Sequence, residues 1–261
     1  MTAIALEGTR LNADAPIPFE RLVRTELRKV IDTRASRWLL AAIIACTPIV
    51  VVVMLFVAKP HDLNYAKFVD FTQSPQKYLL PVLGLLTVTS EWSQRTGIVT
   101  FTLVPDRRRV LLAKFTATLA LGLLVIALVY PAAAIGNVLG AAFRGGSGSW
   151  ASGAVVSGEV GLVVMLGLVM GMAFGMAIML TAAAVVAYYL VPNLTSVAFG
   201  ASAGVKHAAP WFDLNQATSP LYSHDMTGTG WVQLVSAVAI WIGVPLAIGV
   251  LRVSRTEVKS S

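Results

Sequence analysis

Few residues in this chain are equipped for chemistry, and their spacing argues against most of it. Gly200-Ala-Ser202-Ala-Gly204 has the form of an esterase nucleophile motif, with His207 and Asp213 close behind. That chemistry needs a strand-to-helix elbow in an α/β sheet. Nothing near residue 200 supplies one, so a small-residue turn is expected. His61, His207 and His224 are scattered, and no His, Asp and Glu residues converge as a membrane enzyme would require. No GxxxxGK(S/T) phosphate loop occurs, so the chain is not expected to hydrolyse ATP by that route, to be an enzyme, or to hold a cofactor or metal itself. Cys46 stands alone, which excludes an intrachain disulfide and leaves packing as its role.

Two carboxylates stand out by position. Glu91 ends an apolar run, where an ionisable group is costly and ordinarily has a partner or a water path. The plainer alternative is a carboxylate emerging at the interface and pairing with Arg95 one helical turn on. Glu159 is the single charge between Ala154 and Val191, and reads either as part of a substrate path or as an interfacial charge. Asn137, Tyr188 and Tyr189 are able to line a cavity, although helix bonding and interfacial placement account for them equally.

The densest signal is the segment from Glu91-Trp-Ser-Gln-Arg95-Thr96-Gly97 through Ile98, Thr100, Phe101 and Pro105 to Arg107, Arg108, Arg109 and Lys114. It is basic, punctuated by Gly and Pro, and inserted between two apolar runs, as a docking element for a soluble partner would be. Thr96 and Gly97 suit the start or bend of a short interfacial helix, and Pro105 its end. Ile98, Val99, Phe101 and Leu103 offer apolar anchors. The arginines suit an acidic rim or anionic lipid head groups.

The elements that hold these residues are membrane spans. The composition is 56% hydrophobic and 13% charged, against roughly 25% charged in soluble domains. Trp38–Ala58 and Trp231–Leu251 each match the roughly 20 residues that cross a 30 Å hydrocarbon core. Phe115–Gly140 is a third run. Residues 154–191 would make one helix of roughly 57 Å, so a break is expected near Gly175–Met179, with the second half ending near Phe199. The apolar run Tyr78–Thr89 is short, and its span is expected to start near Phe68 and to include Gln73, Gln76 and Lys77. The expectation is an all-α integral membrane protein with six transmembrane helices at about 38–58, 68–90, 115–140, 154–175, 179–199 and 231–251. These lie within a 38–251 transmembrane domain, with an insert at 91–114, an outer, Pro-interrupted re-entrant segment at 200–230 and a tail at 252–261.

Charge sets the orientation. Fifteen of the 20 Lys and Arg fall in the leader, the insert and the tail, while the opposite loops hold only Lys59, Lys67, Lys77, Arg144 and Lys206. Both termini are therefore expected in the cytoplasm, which requires an even number of spans. The net charge of +7 then reports topology, and a nucleic-acid partner is not expected. Within the 1–37 leader, Phe19, Leu22, Val23, Leu27, Val30 and Ile31 form one helical stripe opposite Arg21, Arg24, Arg28 and Lys29. A basic amphipathic helix of this kind lies in the membrane interface and contacts lipid. No cleavable signal is evident, so the first span is expected to be an uncleaved anchor. Gly167, Gly171 and Gly175 recur every four residues, a face that lets another helix approach closely, as do Gly136 and Gly140.

Taken together, these features resemble the ABC-2-type transporter permeases, the six-span membrane subunits of many bacterial ABC exporters. The resemblance is carried by Glu26-Leu-Arg-Lys29 before the first span and by Glu91-Trp-Ser-Gln-Arg-Thr-Gly97 with Thr102, Pro105, the arginines and Lys114. It extends to Trp211-Phe-Asp-Leu214 through Pro220, and to Gly249-Val-Leu-Arg252 with Arg255 and Lys259. It covers nearly all of residues 20–259. One departure is a loop between spans four and five without a basic residue.

The resemblance implies a bacterial cytoplasmic (inner) membrane protein whose insert is a coupling helix. That helix would dock on a separate ATP-binding cassette ATPase subunit, which binds the ATP and Mg. A second permease chain, identical or homologous, would complete the pathway. The scarcity of intramembrane charge fits a hydrophobic or amphiphilic cargo: a drug, lipid or peptide antibiotic. The alternative is an ATP-independent secondary transporter or channel, which would favour buried charge pairs or an inverted repeat of broken helices.

Overall fold

A computed structural model describes residues 17–93, 107–201, 204 and 207–255, and all regular structure among them is helical. In chain order the helices are α1 (Phe19–Asp32), α2 (Arg34–Val57), α3 (Tyr65–Thr72), α4 (Ser74–Ser93), α5 (Arg107–Ala127), α6 (Val129–Arg144), α7 (Gly153–Ile178), α8 (Thr181–Ala201), α9 (Ala209–Phe212), α10 (Leu214–Ser223), α11 (Gly228–Val238) and α12 (Val244–Arg255). A π turn, Ala239–Gly243, joins the last two. Five stretches are long and apolar enough to cross a membrane: Arg34–Val57, Arg108–Arg144, Gly153–Ile178, Thr181–Ala201 and Gly228–Arg252. The chain is a multi-pass helical membrane protein.

The boundaries differ from the sequence expectation in instructive ways. The third run is part of a 37-residue stretch, α5 and α6, interrupted only at Leu128. Pro131 has no amide to give to the carbonyl of Ala127, which accounts for a break at that point. The break in the long apolar segment falls at Met179, which takes a left-handed conformation (φ 61°) between α7 and α8. The stretch expected at 68–90 is divided at Gln73 into α3 and α4.

Helix α4 is not among the five apolar helices, and its position explains why it need not be. It lies in the middle of the bundle against α7, with Leu80, Leu83 and Leu85 buried. Gln76, Thr87 and Thr89 are buried against protein. Gln76 is 1% exposed and its amide lies 3.1 Å from the Thr47 hydroxyl on α2.

Glycines set the closeness of the α4–α7 pair. A methyl on Gly84 would stand 2.5 Å from the Leu168 carbonyl oxygen, and one on Gly171 would collide with the carbonyl of Pro81. The Gly167, Gly171 and Gly175 face thus looks onto Pro81 and Leu85 of α4, inside this chain. Gly136 and Gly140 receive Phe68 and Leu63 in the same manner.

Contacts sort the helix ends into two sets. At one end, the Thr181 hydroxyl bonds that of Thr89 (2.9 Å), Gly249 packs on Met176, and α1 lies on the start of α5. This end carries both flanks of the insert together with the first and last described helices. At the other, Arg144 Nη2 donates to the Phe56 carbonyl, the Tyr65 amide to that of Ser149, and α9 and α10 close over α7, α8 and α11.

Candidate functional site

Of the residues singled out in the insert, Arg95, Thr96, Gly97, Ile98, Thr100, Phe101 and Pro105 lie outside the described residues. The backbone of Glu91 is in the last turn of α4, and Arg107 opens α5. Arg108 is exposed in that first turn. What is described is the framework around the insert, and its chemistry is ionic.

Lys114 is 2% exposed and its ammonium sits 2.5 Å from Glu26 Oε2 of α1. Glu26 is itself 3% exposed, and its other oxygen accepts from Lys29 Nζ at 2.6 Å. Burial by itself would raise the Glu26 carboxyl, but the adjacent Lys114 and Lys29 outweigh it and hold the group below its ordinary value. Arg109 Nη2 adds a bond to the Ile17 carbonyl at 3.0 Å. Apolar packing surrounds the ions: Val30 is buried with Ile43, Leu80, Leu83 and Leu121, and Leu27 packs against that cluster.

Helix α1 is thereby fastened to the helix that leaves the insert. Its apolar stripe divides accordingly, with Val30 inward and Phe19 and Ile31 exposed. Lys114 faces α1 and is not presented at a surface. A carboxylate clasped between two ammoniums and 3% exposed is placed to hold helices together. Glu26 and Lys114 act as a strut.

The opposite end holds a cavity of about 400 Å³ between α4, α7, α8 and α10. Leu166 and Met170 give it an apolar floor, and Tyr78, Tyr188, Tyr189 and Tyr222 supply aromatic walls. Tyr188 meets Tyr189 edge-to-face at 4.8 Å. The Tyr189 hydroxyl donates to the Tyr78 carbonyl. Lys77 Nζ lies 4.3 Å over the centre of the Tyr222 ring and 3.0 Å from Asp70 Oδ1. Burial and the nearby Asp70 carboxylate push the Tyr222 phenol up to about 12, so this ring is neutral at ordinary pH.

Tyr222 also borders a second, polar cavity of about 490 Å³ that includes Asn64, Lys67, Asp70, Ser152 and His224. Glu159 reaches His224 Nδ1 at 2.5 Å, tying α7 to the end of α10. Glu159 therefore stands beside this cavity, while Asn137 does not line either one. Asn137 is fully buried and its amide donates to the carbonyls of Gly148 and Ser149, bracing the loop before α7.

Asp213 caps α10, accepting from the Asn215 amide and the Ser196 hydroxyl, both at 2.9 Å. Ser202 of the esterase-like motif lies outside the described residues, and among those described the partners of Asp213 are Asn215 and Ser196. Among the described residues no group of His, Cys, Asp or Glu is arranged to hold a metal ion.

The grouping of Lys77, Asp70 and Tyr222 escaped sequence reading. A usable signal was present in one part of it: an ammonium beside an apolar run, with a carboxylate seven residues earlier, two helical turns away on the same face. No protein-family model matches this chain, and no curated protein matches it significantly.

Proposed function

We propose that this chain is the permease subunit of an ATP-binding cassette exporter, moving a hydrophobic or amphiphilic cargo out of the cytoplasm or the inner leaflet. The observation that carries the reading is the buried Glu26–Lys114 strut, 2.5 Å long, which joins α1 to the first turns of α5 at the helix ends beside the insert, whereas a carrier's charge pair would sit in mid-span along the path. It makes α1 and α5 one body immediately beside the basic insert, so force applied to the insert is delivered to a rigid piece. A separate ATPase subunit, holding ATP and Mg, docks on residues 91–114 and moves that piece as its nucleotide sites close.

In this reading α4 is the sixth crossing, shielded by its neighbours, and both termini lie in the cytoplasm. Phe19 and Ile31 turn the outer side of α1 toward the membrane interface. The apolar stripe Val186, Leu190, Leu194 and Val197 of α8 is exposed and meets lipid or a second permease chain. The membrane is the bacterial cytoplasmic membrane.

Gentle affinity purification from the native membrane followed by intact mass spectrometry tests the reading. A stoichiometric soluble subunit with a GxxxxGK(S/T) sequence is expected, and its copy number gives the number of permease chains. A chain recovered alone from both mild detergent and nanodiscs would overturn the exporter reading in favour of an ATP-independent carrier or channel.

A further inference from the structure

We propose that the cavity between α4, α7, α8 and α10 binds a cationic amphiphile, and that the Lys77 ammonium is an internal stand-in occupying the cation position while the cavity is empty. The ammonium lies over the Tyr222 ring at 4.3 Å with Asp70 Oδ1 at 3.0 Å. An aromatic face backed by a carboxylate is the arrangement that recognises an organic ammonium. Lysine carries its charge on a flexible four-carbon stem, so it is able to leave this position when another cation arrives.

The sign of the ligand charge follows from the walls. Two carboxylates at the cavities face internal bases: Asp70 pairs with Lys77 and Glu159 lies against His224. The Lys77–Asp70 pair alone would admit a ligand of either sign, since either could displace one partner. The tyrosines decide. Ring faces carry negative potential, attracting a cation and repelling an anion. Tyr78, Tyr188, Tyr189 and Tyr222 all line the same space.

The apolar floor, Leu166 and Met170, takes the body of the molecule, and about 400 Å³ is within the range of sites for drug-sized ligands. Tyr222 borders both cavities, with Lys77 on the side of the first and Asp70 on the side of the second, so a cation drawn to its ring stands where the two spaces adjoin. The name "cargo" for this ligand rests on the exporter reading; the site itself does not.

Tetraphenylphosphonium and tetraphenylborate share size and shape and differ in charge. Binding of each to the full chain in nanodiscs, by equilibrium dialysis against empty nanodiscs, tests the proposal without any ATPase subunit. Saturable binding of the cation is expected, with the anion no better than empty discs. Tyr222→Leu should weaken the cation roughly tenfold while Tyr222→Phe, which keeps the ring face, retains it.

Lys77→Met removes the stand-in and should tighten the cation severalfold. Each variant is compared only if its thermal unfolding matches the parent's. Equal binding of the two ions, no binding of either, or weaker cation binding in Lys77→Met would overturn the site. A chain that purifies without an ATPase subunit yet binds the cation would remove the exporter reading and leave the site standing.

Discussion

The pair Glu26 and Lys114 joins two residues 88 positions apart, and its value lies in what either becomes without the other. Removing one member of a buried ion pair strands a charge in a poor solvent, at about 3–5 kcal/mol. Lys114→Met leaves Glu26 with Lys29 alone and is therefore expected to lower the stability of the purified protein by about the lower end of that range. The double variant Glu26→Gln with Lys114→Met should recover most of it, because neither charge remains and half-exposed Lys29 turns to solvent. Thermal melts of the three proteins make the comparison, and equal losses in single and double variants would rule out the strut. Acid supplies a second readout. The Glu26 carboxyl is lowered from its ordinary 4.5 on folding, so its contribution is complete above that value and is lost as pH falls through the lowered one. A melting midpoint that drops below pH 4.5, with a smaller drop in Glu26→Gln, is the expected result.

At the scale of elements, the α4–α7 contact rests on backbone meeting backbone. Gly171→Ala places a methyl against the Pro81 carbonyl and should cost about 1–3 kcal/mol as the helices are pushed apart. Gly158 lies in the same helix with nothing within 4 Å of an added methyl. Gly158→Ala should leave the melt unchanged or raise stability by about 1 kcal/mol at most. Equal behaviour of the two variants would mean that close approach does not govern this pair. For the insert, Gly97→Leu should uncouple ATP hydrolysis from transport while membrane insertion stays intact, measured with the partner ATPase in proteoliposomes. Normal coupling in that variant would remove the docking role.

What could be read from the sequence at this scale was whatever the bilayer imposes on length. The run Trp38–Ala58 starts four residues inside α2, which spans Arg34–Val57, and ends one residue past it, while a 38-residue stretch at 154–191 with one charge cannot remain one helix across a bilayer. What could not be read was set by neighbours. Gln76 and Lys77 are tolerated in α4 because α2, α7 and α8 pack around it, and period and hydropathy do not encode that shelter. The walls of the far cavity come from α4, α7, α8 and α10, so Tyr222 and Lys77 meet only once the chain is folded.

For the whole molecule, the decisive arrangement is the gathering of α1, α12 and both flanks of the insert at one end. Single-cysteine labelling tests which side of the membrane that end occupies. In a Cys46→Ala background, Ser147→Cys reports the loop at the opposite end and Thr25→Cys reports α1, both at exposed positions. A membrane-impermeant maleimide should label Ser147→Cys on intact cells and Thr25→Cys only after permeabilisation. The reverse pattern would invert the assigned orientation and put the insert out of reach of any cytoplasmic ATPase.

The interruption at Leu128 has a consequence for the membrane that houses this protein. A 37-residue stretch at 1.5 Å per residue is about 55 Å long, against a hydrocarbon layer of about 30 Å. A straight rod of that length would have to tilt steeply or stand proud of both leaflets. Jointed between α5 and α6, it can change its angle locally, and the surplus length becomes slack. A helix interrupted there need not cross at one tilt, so its two halves meet the lipid as separate, shorter lengths.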